Sequence, residues 1–111
     1  MREQALVNAC LIYLRTKGCK VKRNNTGAMR IQTRGRRERF VRFGEPGWSD
    51  IEGCAPGGRA VYVECKRRPG KLTPAQADFL ATMQQLGAFA MVAYEIEELI
   101  QAWEKHDANN P

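Results

Sequence analysis

Val61-Tyr62-Val63-Glu64-Cys65-Lys66 is the stretch on which the fold turns. Apolar residues fill both alternating positions until two charges appear at its end, the pattern of a strand buried on both faces whose last residues meet something polar. Successive side chains of a strand point to opposite sides, so Tyr62, Glu64 and Lys66 share one face and Val61, Val63 and Cys65 the other. Upstream, residues 49–54 read as a second strand, joined to 60–66 through Ala55-Pro56-Gly57-Gly58-Arg59, a turn-rich link of hairpin length. A tight reversal centred on Gly57 sets Asp50 opposite Glu64. The two carboxylates then stand with Cβ atoms about 4.5–5.5 Å apart, where like charges destabilise. A cation between them relieves that repulsion.

Moving outward, residues 2–17 carry Leu6, Ala9, Cys10, Tyr13 and Leu14 at three- and four-residue spacings, with Gly18 as the stop, which predicts an amphipathic helix. Residues 19–23, 28–33 and 39–43 read as strand-like pieces broken at Asn24-Asn25 and Gly35. Thr73-Pro74-Ala75-Gln76 opens a second helix, with a capping threonine, proline at the first helical position and glutamine at the third. Gly87 ends it. Residues 89–94 form a continuous apolar run expected to be a buried strand, and 95–105 a closing helix with Ile96, Leu99, Ile100 and Trp103 on one face. The order is α, several β, α, β, α, that of an α/β domain. The 111 residues fit one domain spanning 1–111.

Composition narrows the chemistry. The formal net charge is +6, and the balance is uneven along the chain. Between Arg15 and Arg42 eleven Lys/Arg stand against the single acid Glu38, whereas 95–107 holds five acids against Lys105. A concentrated arginine-rich stretch suits a polyanion, because each phosphate it neutralises releases counterions; the same run also serves as a charged, solvated surface. The four cysteines form no Cys-x-x-Cys pair and His106 is the only histidine, placed in a polar tail, which disfavours a zinc finger and histidine-based acid–base catalysis. The cysteines are expected as reduced, mostly buried thiols. No glycine-rich phosphate loop is present, so hydrolysis of nucleoside triphosphates has no support. The longest apolar run, 88–94, is too short for a membrane span, and no secretory leader pattern is read at the start, so an intracellular, cytoplasmic protein is expected.

Asp50 and Glu64, with water and the Cys65 carbonyl, are the oxygen donors that Mg²⁺ prefers, leaving positions for a substrate phosphate. Lys66 on the same face is placed to position a water nucleophile or offset developing charge. Taken alone, Glu64 and Lys66 also read as an ordinary ion pair at a sheet edge together with Arg67.

Gly47-Trp48-Ser49-Asp50-Ile51, Glu64-Cys65-Lys66, Gly70-Lys71-Leu72-Thr73-Pro74-Ala75-Gln76 and Phe79-Leu80, in that order, resemble a stand-alone VRR-Nuc domain of the PD-(D/E)xK nuclease superfamily. Asn25-Thr26-Gly27 and residues 87–94 extend the resemblance over nearly the whole chain. It implies a restriction-endonuclease-like core in the order α-β-β-β-α-β, with a mixed central sheet flanked by helices. It also implies Asp50 and Glu64 as ligands of Mg²⁺ or Mn²⁺, Lys66 as the catalytic lysine, Glu3 as a further acidic ligand and Gln76 as the helix glutamine. Ser49 stands where the superfamily name has proline. Glu3 has a plainer role as an acid in a first helical turn, and Gln76 as the third residue of a capping box. The activity implied is DNA endonuclease cleavage of branched, flap or Holliday-junction substrates by a homodimer, with some such members virus-encoded. Arg30, Arg34, Arg36, Arg37 and Arg39, with Arg67, Arg68 and Lys71, are the expected DNA-backbone contacts; the alternative is a non-catalytic nucleic-acid-binding module.

Overall fold

The computed structural model describes residues 2–24, 27–31, 39–43 and 45–110, and the side chains of those outside 25–44. Helix α1 (Glu3–Thr16) buries Leu6, Val7, Cys10, Leu11 and Leu14, the stripe that its spacing predicts. Strands β1 (Lys20–Arg23), β2 (Gly27–Ile31), β3 (Arg39–Phe43), β4 (Ile51–Cys54) and β5 (Ala60–Cys65) follow, then α2 (Pro74–Gln85), β6 (Phe89–Ala93) and α3 (Ile96–Asn109).

The central sheet has the order β1-β4-β5-β6. β4 and β5 are antiparallel with Ile51 opposite Val63, Glu52 opposite Tyr62 and Cys54 opposite Ala60, the register expected from a reversal at Gly57. In the turn, Ala55 N–H donates to Arg59 O at 2.7 Å and Gly58 N–H to Ala55 O at 3.0 Å. Gly57 and Gly58 have φ of 89° and 92°, a conformation that costs glycine nothing and other residues a good deal. β5 and β6 run parallel, with Glu64 opposite Val92, and α2 supplies the crossover that parallel strands require. Within this sheet three strands precede α2 and one follows.

The strand pieces before residue 44 pair antiparallel, though not all with one another: β2 and β3 pair in a two-stranded sheet, and β1 pairs with β4. One expectation is corrected. The closing helix runs on to Asn109, because His106 is not in a loose polar tail but packs against Phe89 and Trp103, with ring centroids 5.1 and 5.3 Å away.

The core lies between the sheet and the helices α1 and α3, where Val61, Val63 and Cys65 meet Leu6, Cys10, Leu14, Leu99 and Trp103. Helix α2 packs over β5 and β6. All four cysteines are unpaired thiols; Cys10, Cys19 and Cys65 are buried and Cys54 is exposed. Cys10 and Cys65 meet in the core with their Sγ atoms 4.0 Å apart. Among the described residues no helix is long and apolar enough to cross a membrane.

Candidate active site

The segment leading into β4 is shaped before Asp50 is reached. Gly47 adopts φ of 86°, and a Cβ there would lie 2.9 Å from the carbonyl oxygen of Ala75, so glycine allows this loop to touch the first turn of α2. Trp48 then packs on Phe79 at 4.6 Å between centroids, and its Nε1–H donates to Glu52 Oε2 at 2.6 Å. Ser49 is fully buried and its hydroxyl donates to the carbonyl of Ile51 at 2.7 Å, which folds the chain about Asp50. The Asp50 carbonyl accepts from Asn24 N–H at 2.6 Å, and its Oδ2 accepts from Cys65 N–H at 2.8 Å. Asp50 therefore ties the start of β4 to β1 with its backbone and to the end of β5 with its side chain.

Glu64 projects from β5 beside it and is 3% exposed, the one buried acid among the described residues. Among the described residues no donor reaches its Oε2, which is buried. Burial first, then a hydrogen bond to Asp50 and the Asp50 charge, push the Glu64 carboxyl up to about 9; Glu3 adds in the same direction and Lys66 opposes it. A carboxyl held that high favours its neutral form at neutral pH, which relieves the cross-strand repulsion expected from the sequence.

The structure brings Asp50, Glu64 and Lys66 to one end of the β4–β5 pair, with exposed Glu3 on the first turn of α1 near enough to act on Glu64. Gln76 caps α2. Its Oε1 accepts from Thr73 N–H at 2.9 Å and its own N–H donates to Thr73 Oγ1 at 3.2 Å, a complete capping box on α2. Cys65 meets Asp50 through its amide, an interaction the sequence reading missed; the alternation that places Asp50 opposite Glu64 also carries Asp50 within reach of the next backbone N–H.

Arg67, Arg68 and Lys71 are exposed on the segment that leaves β5. The Arg68 guanidinium lies over the Tyr94 ring at 4.4 Å and 3.4 Å from Glu98 Oε2. Arg30 and Arg39 sit on β2 and β3, opposite Phe40 and Ile31. Arg34, Arg36 and Arg37 lie outside the described residues.

The donor set fits a hard divalent cation: two adjoining carboxylates, one with an orphaned buried oxygen that either a proton or a cation must satisfy. Among the described residues no group of three or more His, Cys, Asp or Glu is gathered tightly enough to hold a metal by itself. Water and a substrate oxygen would complete the coordination, as is usual for Mg²⁺. No family model matches the sequence, and no curated protein is significantly similar to it.

Proposed function

We propose that this chain is a Mg²⁺- or Mn²⁺-dependent DNA endonuclease. The observation that carries the reading is Glu64: a buried carboxyl with an oxygen unpartnered among the described residues, set against Asp50 and two residues before Lys66, which directly follows β5. Burying an acid without a donor costs stability, and such a cost is characteristic of sites that bind or react.

Asp50 and Glu64 would hold the ion, with Glu64 giving up its proton on binding. Bound there, a divalent ion polarises a phosphoryl oxygen and lowers the pKa of water toward neutrality. The Cys65 amide fixes one Asp50 oxygen. Lys66 orients the attacking water by its ammonium and offsets the negative charge that grows on the phosphate. Glu3 is a further ligand in this reading, and the Cys65 carbonyl another. The exposed Arg67, Arg68 and Lys71, with the arginine-rich segment before residue 44, hold the phosphodiester backbone. The resemblance to VRR-Nuc domains extends the proposal to a restriction-endonuclease-like fold, to branched or flap-bearing DNA and to a homodimer, and we place its action in the cytoplasm.

The test is incubation of the purified protein with linear, flap and four-way-junction DNA in Mg²⁺, Mn²⁺ or EDTA. Metal-dependent cleavage that Glu64→Ala and Lys66→Ala each abolish, with DNA binding retained, is the expected result. Binding without cleavage on all three substrates would replace the nuclease by a nucleic-acid-binding module.

A further inference from the structure

The face of the sheet that carries Glu64 continues past it. Strand parity and the β1–β4–β5 register place Lys20, Lys22, Glu52, Cys54 and Tyr62 on that same face. Helix α2 covers β5 and β6, and beyond it these residues line a groove of about 440 Å³ over β1 and β4. That volume lies in the range of cavities that take a small molecule or one unit of a polymer.

The groove has two kinds of wall. Lys20 and Lys22 on β1 are both exposed, and the Lys22 side chain is 71% exposed although its Nζ is 3.5 Å from Glu52 Oε1. Glu52, the one carboxylate among the described residues that line the groove, is spent on Lys22 and on the indole of Trp48. The opposite wall is Tyr62, whose ring is braced by Phe79 at 5.2 Å and Trp48 at 6.2 Å, both close to perpendicular to it. A braced, partly exposed aromatic beside exposed ammonium groups is the combination that takes a base on one side and its phosphates on the other. A duplex hides its bases from such a wall. Tyr62 is two residues from Glu64 on one strand, about 6–7 Å along it.

We propose that the outer face of β1 and β4 is a binding groove for unpaired DNA, in which Tyr62 stacks on a base and Lys20 and Lys22 contact the flanking phosphates. This rests on the reading of the neighbouring carboxylates as a nuclease site only for the choice of DNA. It adds a substrate class: the strand beside the scissile bond enters the site unpaired.

Binding is measured by fluorescence anisotropy in EDTA, with labelled oligothymidine and a blunt duplex, so no cleavage is involved. Tyr62→Leu should weaken oligothymidine binding roughly tenfold and change duplex binding by less than about twofold, while Tyr62→Phe binds as wild type. Lys20→Gln with Lys22→Gln should lower the slope of log K against log[salt] on oligothymidine by about 1.4, since each single-strand phosphate contact contributes about 0.7. Cys54, the one exposed thiol, lines the groove and reports on it without any substitution. Its alkylation by a maleimide should slow when oligothymidine is bound.

Equal loss on both DNAs in Tyr62→Leu, an unchanged salt slope, or unprotected Cys54 would each overturn the groove. Tighter binding of oligouridine than of oligothymidine would overturn the assignment to DNA. A protein that passes these tests yet cleaves nothing in Mn²⁺ refutes the nuclease and leaves the groove standing; one that cleaves but fails them refutes the groove alone.

Discussion

Glu64 makes the metal-free protein sensitive to alkali rather than to acid. Its carboxyl is held at about 9 in the fold against an ordinary value near 4.5, so between those limits the native state keeps a proton that the unfolded chain has lost. The contribution is fully present below the lower value and is lost as pH rises through the upper one. In EDTA, wild-type stability should fall by up to about 1.4 kcal/mol per pH unit across this window from this group. Glu64→Gln, which keeps the shape and cannot ionise, should remove that slope in urea titrations at a series of pH values. A second expectation concerns the pair. Metal at a hundredfold excess over its Kd should stabilise the protein by about 2.7 kcal/mol, roughly 10 °C in Tm. Asp50→Asn should cancel most of that gain. Without metal it should lower Tm slightly near pH 7, where a charge-assisted hydrogen bond from Glu64 is weakened, and raise Tm above pH 9, where two anions no longer oppose each other. Melts in Mn²⁺ and in EDTA at both pH values read the sign change; an equal metal response in both proteins would refute a shared site.

Helix α2 separates a capping role from a chemical one for Gln76. Gln76→Ala breaks half of the capping box and should cost about 0.5–2 kcal/mol, as should Thr73→Ala. Gln76→Glu preserves the box and should restore stability. If capping is all that Gln76 does, cleavage per folded molecule stays at the wild-type level in both Gln76 variants, and single-turnover assays at a temperature where each is folded decide it. The elements also show what was legible beforehand. Alternation and one tight turn sufficed to register β4 on β5, because only five residues, 55–59, separate them and the glycines leave one way to reverse. The partner of β1 was not legible: a short strand with Val21 facing in states which side it buries and not which neighbour it joins. The same limit hid the Cys10–Cys65 contact, which links α1 to β5 across 55 residues. The end of α3 was misread because His106 and Asp107 look like a solvated tail, while Phe89 and Trp103, which hold the imidazole, lie on other parts of the chain or a turn away.

At the level of the whole molecule, the pairings differ in how much chain each must close. β4 meets β5 across one turn, whereas β5 meets β6 only after α2 has formed and crossed, and β1 meets β4 only across residues 24–50. Loop closure favours the shortest link, so the β4–β5 hairpin is expected to form ahead of the other two. Asp50 and Glu64 then come together while both are still in water and both ionised, before burial raises the Glu64 pKa. Asp50→Asn should accordingly speed refolding at neutral pH about 1.4-fold to fivefold, the rate equivalent of the roughly 0.2–1 kcal/mol of a cross-strand pair. Stopped-flow refolding in EDTA measures it, and an unchanged folding limb would place the hairpin late. The consequence reaches the newly made chain. A five-residue turn brings the two carboxylates together first, so for an interval during folding they stand open to whatever cation the medium holds, and on the metal-site proposal divalent ions should act on the speed of maturation as well as on its end point.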